Sequence, residues 1–442
     1  MTSLLQKYNR PAPRYTSYPP APHWRAAGGD LLHQALQKSE RPLSLYAHIP
    51  FCERLCLYCG CNVVIKKDHS VAEPYLDHLI AEMDLVPEAH GRVVNQVHWG
   101  GGTPTYLTAD QIQILFEAMA SRFVVPSNAE ISIEIDPRVT TKEHLRMLRQ
   151  LGFNRLSAGI QDFDPQVQAA VRRIQPFDLV RDLIAEARQL GFKSINVDLI
   201  YGLPFQTVTS FDHTLDLIHE LDPDRVAVFS YAHVPSMKKQ QKALEAHLPE
   251  EGSKLALLLL AIDRLTHSGY EFIGMDHFAK KDDPLCVALK EGTLHRNFQG
   301  YTTHAETDLL AFGVSSISDV GDTFTQNHRE LPFYQESVRA GQLPVVRGYV
   351  RSEDDRIRGT VIEKVLCHAR LDKVSVEKEL GIRFDQFFAP ELSKLIEYEQ
   401  DGLVIGVYSP LLEVTSLGRI YIRTIAQVFD AFQPAAIASR AV

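Results

Sequence analysis

Between residues 43 and 232 the chain alternates two hydrophobic patterns. Short apolar runs at 43–49, 95–99, 130–135, 155–160, 194–200 and 225–231 have the length of strands. The segments between them carry apolar residues at helical spacing. In 179–190, Val180, Leu183, Ile184, Ala187 and Leu190 fall on one helix face, and Gly191 stands where a helix ends in a left-handed residue. Leu151-Gly-Phe-Asn-Arg-Leu-Ser and Leu190-Gly-Phe-Lys-Ser-Ile-Asn repeat one order: helix end, glycine stop, strand. Such alternation predicts parallel strands with right-handed crossovers. About six units are visible, fewer than a closed barrel needs. The expected fold is α/β, a partial open (β/α)6-type barrel over residues 41–330.

The flanks break this rhythm. Residues 10–22 hold Arg10-Pro-Ala-Pro-Arg-Tyr-Thr-Ser-Tyr-Pro-Pro-Ala-Pro22. Proline removes donors and fixes φ, so residues 1–40 are expected to form an irregular arm, with tyrosines and arginines suited to docking on the rest of the protein. Near the other end, 357–369 and 384–398 look helical, 402–410 reads as a hairpin strand, and 416–432 reads as a further amphipathic helix. Residues 331–442 are therefore expected to form a small, mainly helical, winged-helix-like domain.

Composition narrows the partners. The formal charge of −9 gives no reason to expect nucleic acid or an anionic membrane. The longest apolar run, 255–262, is too short to span a bilayer, and the first eight residues lack a secretory core. A cytoplasmic location with reduced thiols is expected. Four of the six cysteines lie within ten residues, which argues for a metal and against a disulfide framework.

Those four read Cys52-Glu-Arg-Leu-Cys56-Leu-Tyr-Cys59-Gly-Cys61, directly after the first strand. In a barrel this is the C-terminal mouth, where active sites sit. Thiolates at this spacing can wrap one compact iron–sulfur cluster, and three of them would leave one iron of a 4Fe–4S cube open for chemistry. A structural zinc is the rival, although zinc favours two separated pairs. After the second strand comes His98-Trp-Gly-Gly-Gly-Thr-Pro-Thr105, whose glycines can bring backbone N–H groups close to a carboxylate or phosphate. Polar residues also gather at strand ends: Glu134 and Asp136, Gln161 and Asp162, Asp198 and Tyr201, Tyr231 and His233. A barrel whose strand interiors are hidden would place them at its functional rim, while each alone could be a cap or a satisfied buried group.

The C-x3-C-x2-C spacing with Tyr58 before the third cysteine resembles the radical S-adenosylmethionine superfamily. Within it, the chain resembles the oxygen-independent coproporphyrinogen III oxidases nearly end to end. The resemblance rests on Pro11-Ala-Pro-Arg-Tyr-Thr-Ser-Tyr-Pro19, Tyr46-Ala-His-Ile-Pro-Phe-Cys52, Cys61, the His98–Thr105 motif, Ile133-Glu-Ile-Asp-Pro-Arg138 and Gly159-Ile-Gln-Asp-Phe163. It continues through Asp198-Leu-Ile-Tyr-Gly-Leu-Pro204, Gly274-Met-Asp-His-Phe278 and Asn297-Phe-Gln-Gly-Tyr-Thr302.

That resemblance implies a 4Fe–4S cluster on Cys52, Cys56 and Cys59, with Cys61 and Tyr46 as catalytic residues and Cys61 not a ligand. One S-adenosylmethionine would touch Tyr46, Tyr58, Gly101, Glu134 and Ile317. A second would lie near Gly102, Thr103, Gln161, Arg173, Asp198 and Ala232. The implied reaction is decarboxylation of two propionates of coproporphyrinogen III to vinyl groups by a 5′-deoxyadenosyl radical, giving protoporphyrinogen IX. Implied partners are the tetrapyrrole substrate and an electron-donor protein such as a flavodoxin or ferredoxin, with the chain a monomer. Arg10, Arg14 and Arg296 are candidate anchors for the substrate carboxylates. Two other readings stand beside this one. A heme-binding chaperone of the same superfamily would usually lack the proline-rich arm and the fourth clustered cysteine, and a zinc-stabilised binding module would be colourless.

Overall fold

The structure, a computed structural model, describes residues 2–432 and 440; Met1 of the expected arm and 433–439 and 441–442 of the expected C-terminal domain lie outside these. All six expected strands form: β1 (Leu43–Ile49), β2 (Val94–Gly101), β3 (Glu130–Ile135), β4 (Arg155–Gln161), β5 (Ser194–Tyr201) and β6 (Arg225–Ser230). They pair parallel and in chain order, with Tyr46 opposite His98 and Ile133 opposite Leu156. Each is followed by a helix: α1 (Ala72–Asp84), α2 (Ala109–Ala120), α3 (Lys142–Gln150), α4 (Phe177–Gln189), α5 (Val208–Leu221) and α6 (Glu251–His267). Thr108, Thr141 and Thr207 start three of these helices with reciprocal capping boxes. Gly152 and Gly191 follow α3 and α4 in left-handed backbone, as the repeat predicts.

The sheet is larger than the expected barrel and is not closed. Among the described residues it has thirteen strands in a linear order with two free ends. Beyond β6 it adds the antiparallel hairpin β7 (Tyr270–Gly274) and β8 (His277–Lys280). Beyond β1 it adds β9 (Asp308–Phe312), a seventh parallel strand, then an antiparallel run of β10 (Ile317–Val320), β11 (Thr323–Asn327) and β12 (Val345–Val350). Helical periodicity could not reveal β9, because a strand follows it and no helix does. Arg25–Ala26 completes the edge against β12. The sheet thus runs across both expected boundaries, near residues 40 and 331.

After Arg351 the texture changes. Helices Glu353–His368, Lys373–Leu380 and Ala389–Gln400 accompany a small antiparallel sheet of Arg370–Asp372, Val404–Ile405 and Leu411–Val414. Two details differ. The helix expected at 384–398 divides after Phe387, where Pro390 opens a new helix in place of continuing the old one. The helix expected at 416–432 breaks into short turns at Gly418–Tyr421, Ile422–Ala426 and Gln427–Phe429. Ile422 to Ala426 are all buried, so this segment is no amphipathic surface helix.

The arm docks on the protein. It is irregular between helices Thr2–Tyr8 and Asp30–Lys38, and Tyr8, Tyr15, Tyr18 and Trp24 are buried. The Tyr8 hydroxyl donates to Asp401 at 2.6 Å, Tyr15 donates to Asp430 at 2.9 Å, and Arg14 pairs with Asp276. Trp24 stacks on Phe324 with centroids 5.1 Å apart. Among the described residues no helix is long and apolar enough to cross a membrane.

Candidate active site

Successive residues of a strand point to opposite faces. In β3, Ile131 and Ile133 join the main hydrophobic core, while Glu130, Ser132 and Glu134 line a cavity of about 460 Å³. β2 presents Gln96 and His98 to the same space, β4 presents Arg155, Ser157, Gly159 and Gln161, and β5 presents Ser194, Asn196 and Asp198. The expectation of hidden strand interiors is therefore corrected: the inner face is polar because it surrounds a cavity. Near the strand starts these groups bond to one another. Ser44 donates to Gln96 (2.9 Å), Gln96 donates to Glu130 (2.8 Å), and Arg155 pairs with Glu130 (2.9 Å).

The cysteine loop closes one side of the rim. Phe51–Cys52 pairs with Val64–Ile65 and so brings the loop's two ends together. Its far side is pinned by Leu57 N–H on the Val171 carbonyl (3.0 Å), Gln241 on the Tyr58 carbonyl (2.9 Å) and Lys238 on the Cys61 carbonyl (2.6 Å). The glycine run packs beneath. A Cβ on Gly102 would stand 2.6 Å from the Pro50 carbonyl, and Gly101, at φ +113°, would press a Cβ into His48. The Gly102 N–H donates to Ile49 (2.8 Å) and the Gly101 N–H to Glu134 (3.1 Å). These N–H groups serve the protein's own backbone and Glu134. The glycines are needed for close approach of two loops, which corrects the expected ligand cradle.

All four clustered thiols line the cavity. Cys56 accepts from Arg138 Nη2 at 3.4 Å and Arg173 Nη1 at 3.7 Å, and Cys52 lies 3.3 Å from the Thr103 hydroxyl. Burial pushes the Cys52 thiol up to about 12. Cys59 and Cys61 are linked: the Cys61 thiol hydrogen-bonds to Cys59, which lowers the Cys59 pKa and raises that of Cys61. Among the described residues no three Cys, His, Asp or Glu side chains converge as ligands of a single ion would. Thiols spread along one cavity wall beside two guanidinium groups fit an anionic multi-iron cluster.

Around them stand residues with perturbed protonation. Burial works to raise the Glu134 carboxyl, but His98 (3.5 Å) and the Gly101 N–H hold it below its usual range. Asp198 goes the other way, raised to about 7 by burial and by the Glu134 charge, against hydrogen bonds from Asn196 (2.8 Å) and Ser157 (3.3 Å). Arg173 is buried, with Nη1 on Asp136 at 3.0 Å and Nη2 on the Gly159 carbonyl at 2.5 Å. Gln161 adopts φ +71°, and its side-chain oxygen is buried without a partner. The other polar strand-end residues follow the plainer reading. Asp162 is buried and satisfied by Gln206 (2.5 Å), Thr214 (2.9 Å) and the Asp164 N–H (2.7 Å). Tyr201, Tyr231 and His233 also stand outside the lining.

The radical SAM superfamily profile matches residues 46–218. Over 434 residues the chain is 47% identical to the oxygen-independent coproporphyrinogen III oxidase of Escherichia coli, covering 97% of this chain and 95% of that protein. It is 46% identical over 440 residues to the Synechocystis protein of the same name, covering 97% and 94%. The chain belongs to the oxygen-independent coproporphyrinogen III oxidase family. A solved E. coli coproporphyrinogen III oxidase, described as a radical SAM enzyme, superposes with a TM-score of 0.93 at 45% identity, covering 98% of this chain and 99% of that one.

Of the residues that likeness to these oxidases named, all but three line the one cavity. Tyr46 lies one ring behind it, stacked 5.9 Å from His98, with its hydroxyl 3.1 Å from His48 Nδ1. Burial, then the charges of Glu134 and Cys61, raise its phenol well above the ordinary range. Ala232 is exposed; its carbonyl accepts from Gln241 (3.2 Å), the side chain that also holds Tyr58. Ile317 opens β10, two strands away from β1, and stands outside the lining. Of the candidate anchors, Arg10 bonds the Tyr398 hydroxyl (2.5 Å) and Arg14 is paired with Asp276. Arg296 stands outside this lining, in the wall of another cavity of about 510 Å³; its Nε and Nη1 are buried and unpartnered, and it lies 5.0 Å from Tyr301, which belongs to the first cavity. Sequence reading missed Arg138, Glu130, Arg155, Arg225 and His277, which also line the cavity. The signal was present as alternation: 130, 132, 134 and 155, 157, 159, 161 are polar or glycine at every second position.

Proposed function

We propose that this chain carries out the oxygen-independent oxidative decarboxylation of two propionate side chains of coproporphyrinogen III to vinyl groups, giving protoporphyrinogen IX. One observation carries the reading: a four-thiol loop opens onto a polar cavity in a chain alike, end to end, to enzymes named for this reaction. We assign the 4Fe–4S cluster to Cys52, Cys56 and Cys59, and two S-adenosylmethionine molecules to the cavity beside it. Bound there, they would supply radical hydrogen abstraction at the propionate β-carbon.

The chain's own residues hold, orient and neutralise. Arg138 and Arg173 set positive charge against Cys56 and so offset the thiolates. Glu134, fixed by His98 and the Gly101 N–H, offers an ionised acceptor to an ammonium or hydroxyl group. Asp198 sits near its own neutral point and can accept from a hydroxyl once ionised. Cys61 stands in the cavity wall beside the three assigned thiols, and we assign it a role other than a fourth iron ligand. Tyr46 backs His98 and so orients the imidazole that holds Glu134. Arg296, with two free N–H groups, is the anchor we retain for a substrate carboxylate. We further infer a cytosolic monomer served by an electron-donor protein, and read the segment after Arg351 as winged-helix-like from its helices and small sheet.

The test uses protein purified without oxygen. Iron and sulfide should be bound, and reductant with S-adenosylmethionine and coproporphyrinogen III should yield 5′-deoxyadenosine and a divinyl product by mass spectrometry. Iron-loaded protein that binds heme and leaves the propionates intact would instead make it the heme-binding relative.

A further inference from the structure

A second recess lies on the solvent side of the cysteine loop. It holds about 260 Å³, and Cys52, Thr103, Asp136 and Arg138 belong to its lining, so its floor is the back of the loop that faces the cavity. One rim is the segment 66–69. Lys66 N–H bonds the Cys52 carbonyl (3.0 Å), and His69 stacks on Tyr106 of the recess wall at 4.1 Å. The opposite rim is 172–179, tied in by Arg138 on the Arg172 carbonyl at 3.5 Å. This rim carries Ile174 at 68% exposure and Leu179 at 41%, both lining the recess.

The charge here runs against the rest of the molecule. Arg54, Lys66, Lys67 and Arg172 are exposed and enter no salt bridge among the described residues. Of the neighbouring acids, Asp178 is paired with Arg181 (2.7 Å), while Glu53 meets His69 (3.1 Å) and Asp68 caps the Ser70 N–H (3.0 Å), so these four cations outnumber the two carboxylates that have no Lys or Arg partner. Yet the whole chain carries −9. Exposed apolar residues ringed by unpaired cations make a protein-docking patch, and opposite charge would steer a partner to it while the remaining surface repels that partner.

We propose that this recess is the docking face of a small acidic one-electron carrier protein. The inference rests on the proposed function, which requires an electron at the cluster. Tunnelling weakens steeply with distance, and here Cys52 itself lines the recess. One electron leaves the carrier and enters the cluster; the carrier is oxidised by one electron and no bond is made or broken between them.

The test takes anaerobically reconstituted holoenzyme and purified flavodoxin as the carrier. Flavodoxin affinity is measured directly, and cluster reduction is followed by loss of visible absorbance. The variant K66E/K67E/I174D should weaken flavodoxin binding about tenfold or more. Reduction by flavodoxin should slow in step, while iron content and reduction by dithionite stay at wild-type values. R172E on the opposite rim should act in the same direction, and added salt should weaken wild-type binding far more than the variants'. Wild-type affinity in both charge-reversal variants would overturn the docking face. Wild-type holoenzyme that forms no 5′-deoxyadenosine with dithionite would overturn the proposed function itself, and the two failures separate because dithionite needs no docking face.

Discussion

The rim and the floor of the cavity hold polar groups in opposite ways. On the floor, Ser44, Gln96, Glu130 and Arg155 pass hydrogen bonds from one strand start to the next, and Arg225 is closed off by Asp283 at 2.7 Å. At the rim, Glu134, Gln161, Arg173 and the thiols sit on loops and strand ends, with Gln161 Oε1 and Arg173 Nε left unpartnered; on the floor the chain of bonds runs through all four side chains and leaves over only Arg155 Nη1. Polar groups that satisfy one another stiffen a fold, whereas polar groups held in place with atoms to spare are arranged for a ligand. The difference assigns stability to one end of a continuous space and chemistry to the other.

Substitutions at the two ends should therefore fail differently. Cys56→Ser, the severest, should abolish cluster assembly and turnover, read as missing iron and colour. Cys61→Ala should keep the iron yet lower turnover by up to about a hundredfold, because it removes the thiol that hydrogen-bonds to Cys59; a variant without iron would place Cys61 among the ligands. Asp198→Asn should act through pH. The raised carboxyl means the folded chain holds an extra proton between 3.8 and about 7, so wild-type stability falls as pH rises through that window. The variant should lack that slope in urea titrations; wild-type KM for S-adenosylmethionine should fall as pH rises through about 7, where the carboxylate becomes free to accept a hydroxyl, and the variant's should not. Arg155→Gln, the mildest, should cost about 1–3 kcal/mol of stability by leaving Glu130 partly unpaired, with iron content unchanged. Iron loss in this variant would erase the distinction between floor and rim.

How far each end could be read from the sequence follows the same divide. Rim chemistry uses residue types that stand out, such as four cysteines in ten positions and a glycine triplet, and both lie where strand–helix alternation places them. The floor uses Glu130 and Arg155, ordinary charged residues whose meaning appears only once their strands lie side by side. β9 was hidden for a related reason, since its pairing with β1 joins segments more than two hundred residues apart. Gln161 and Asp162 show the limit most sharply. They are adjacent and similar in sequence, yet a left-handed backbone at Gln161 sends one side chain to the cavity and leaves the other among Gln206 and Thr214. Nothing local announces that turn.

The arm runs from Tyr8 on Asp401, in the segment after Arg351, to Arg14 on Asp276, between β7 and β8, and so straps that segment to the large sheet. Arg423 holds the Ala12 carbonyl at 2.6 Å, and Pro11 bridges to Arg440, so opposite ends of the polypeptide are tied at one place. The segment after Arg351 cannot part from the large sheet without pulling the arm's tyrosines from Asp401 and Asp430 or its Arg14 and Trp24 from Asp276 and Phe324. The molecule should therefore melt in a single calorimetric transition, and shaving off the strap should split that transition into two.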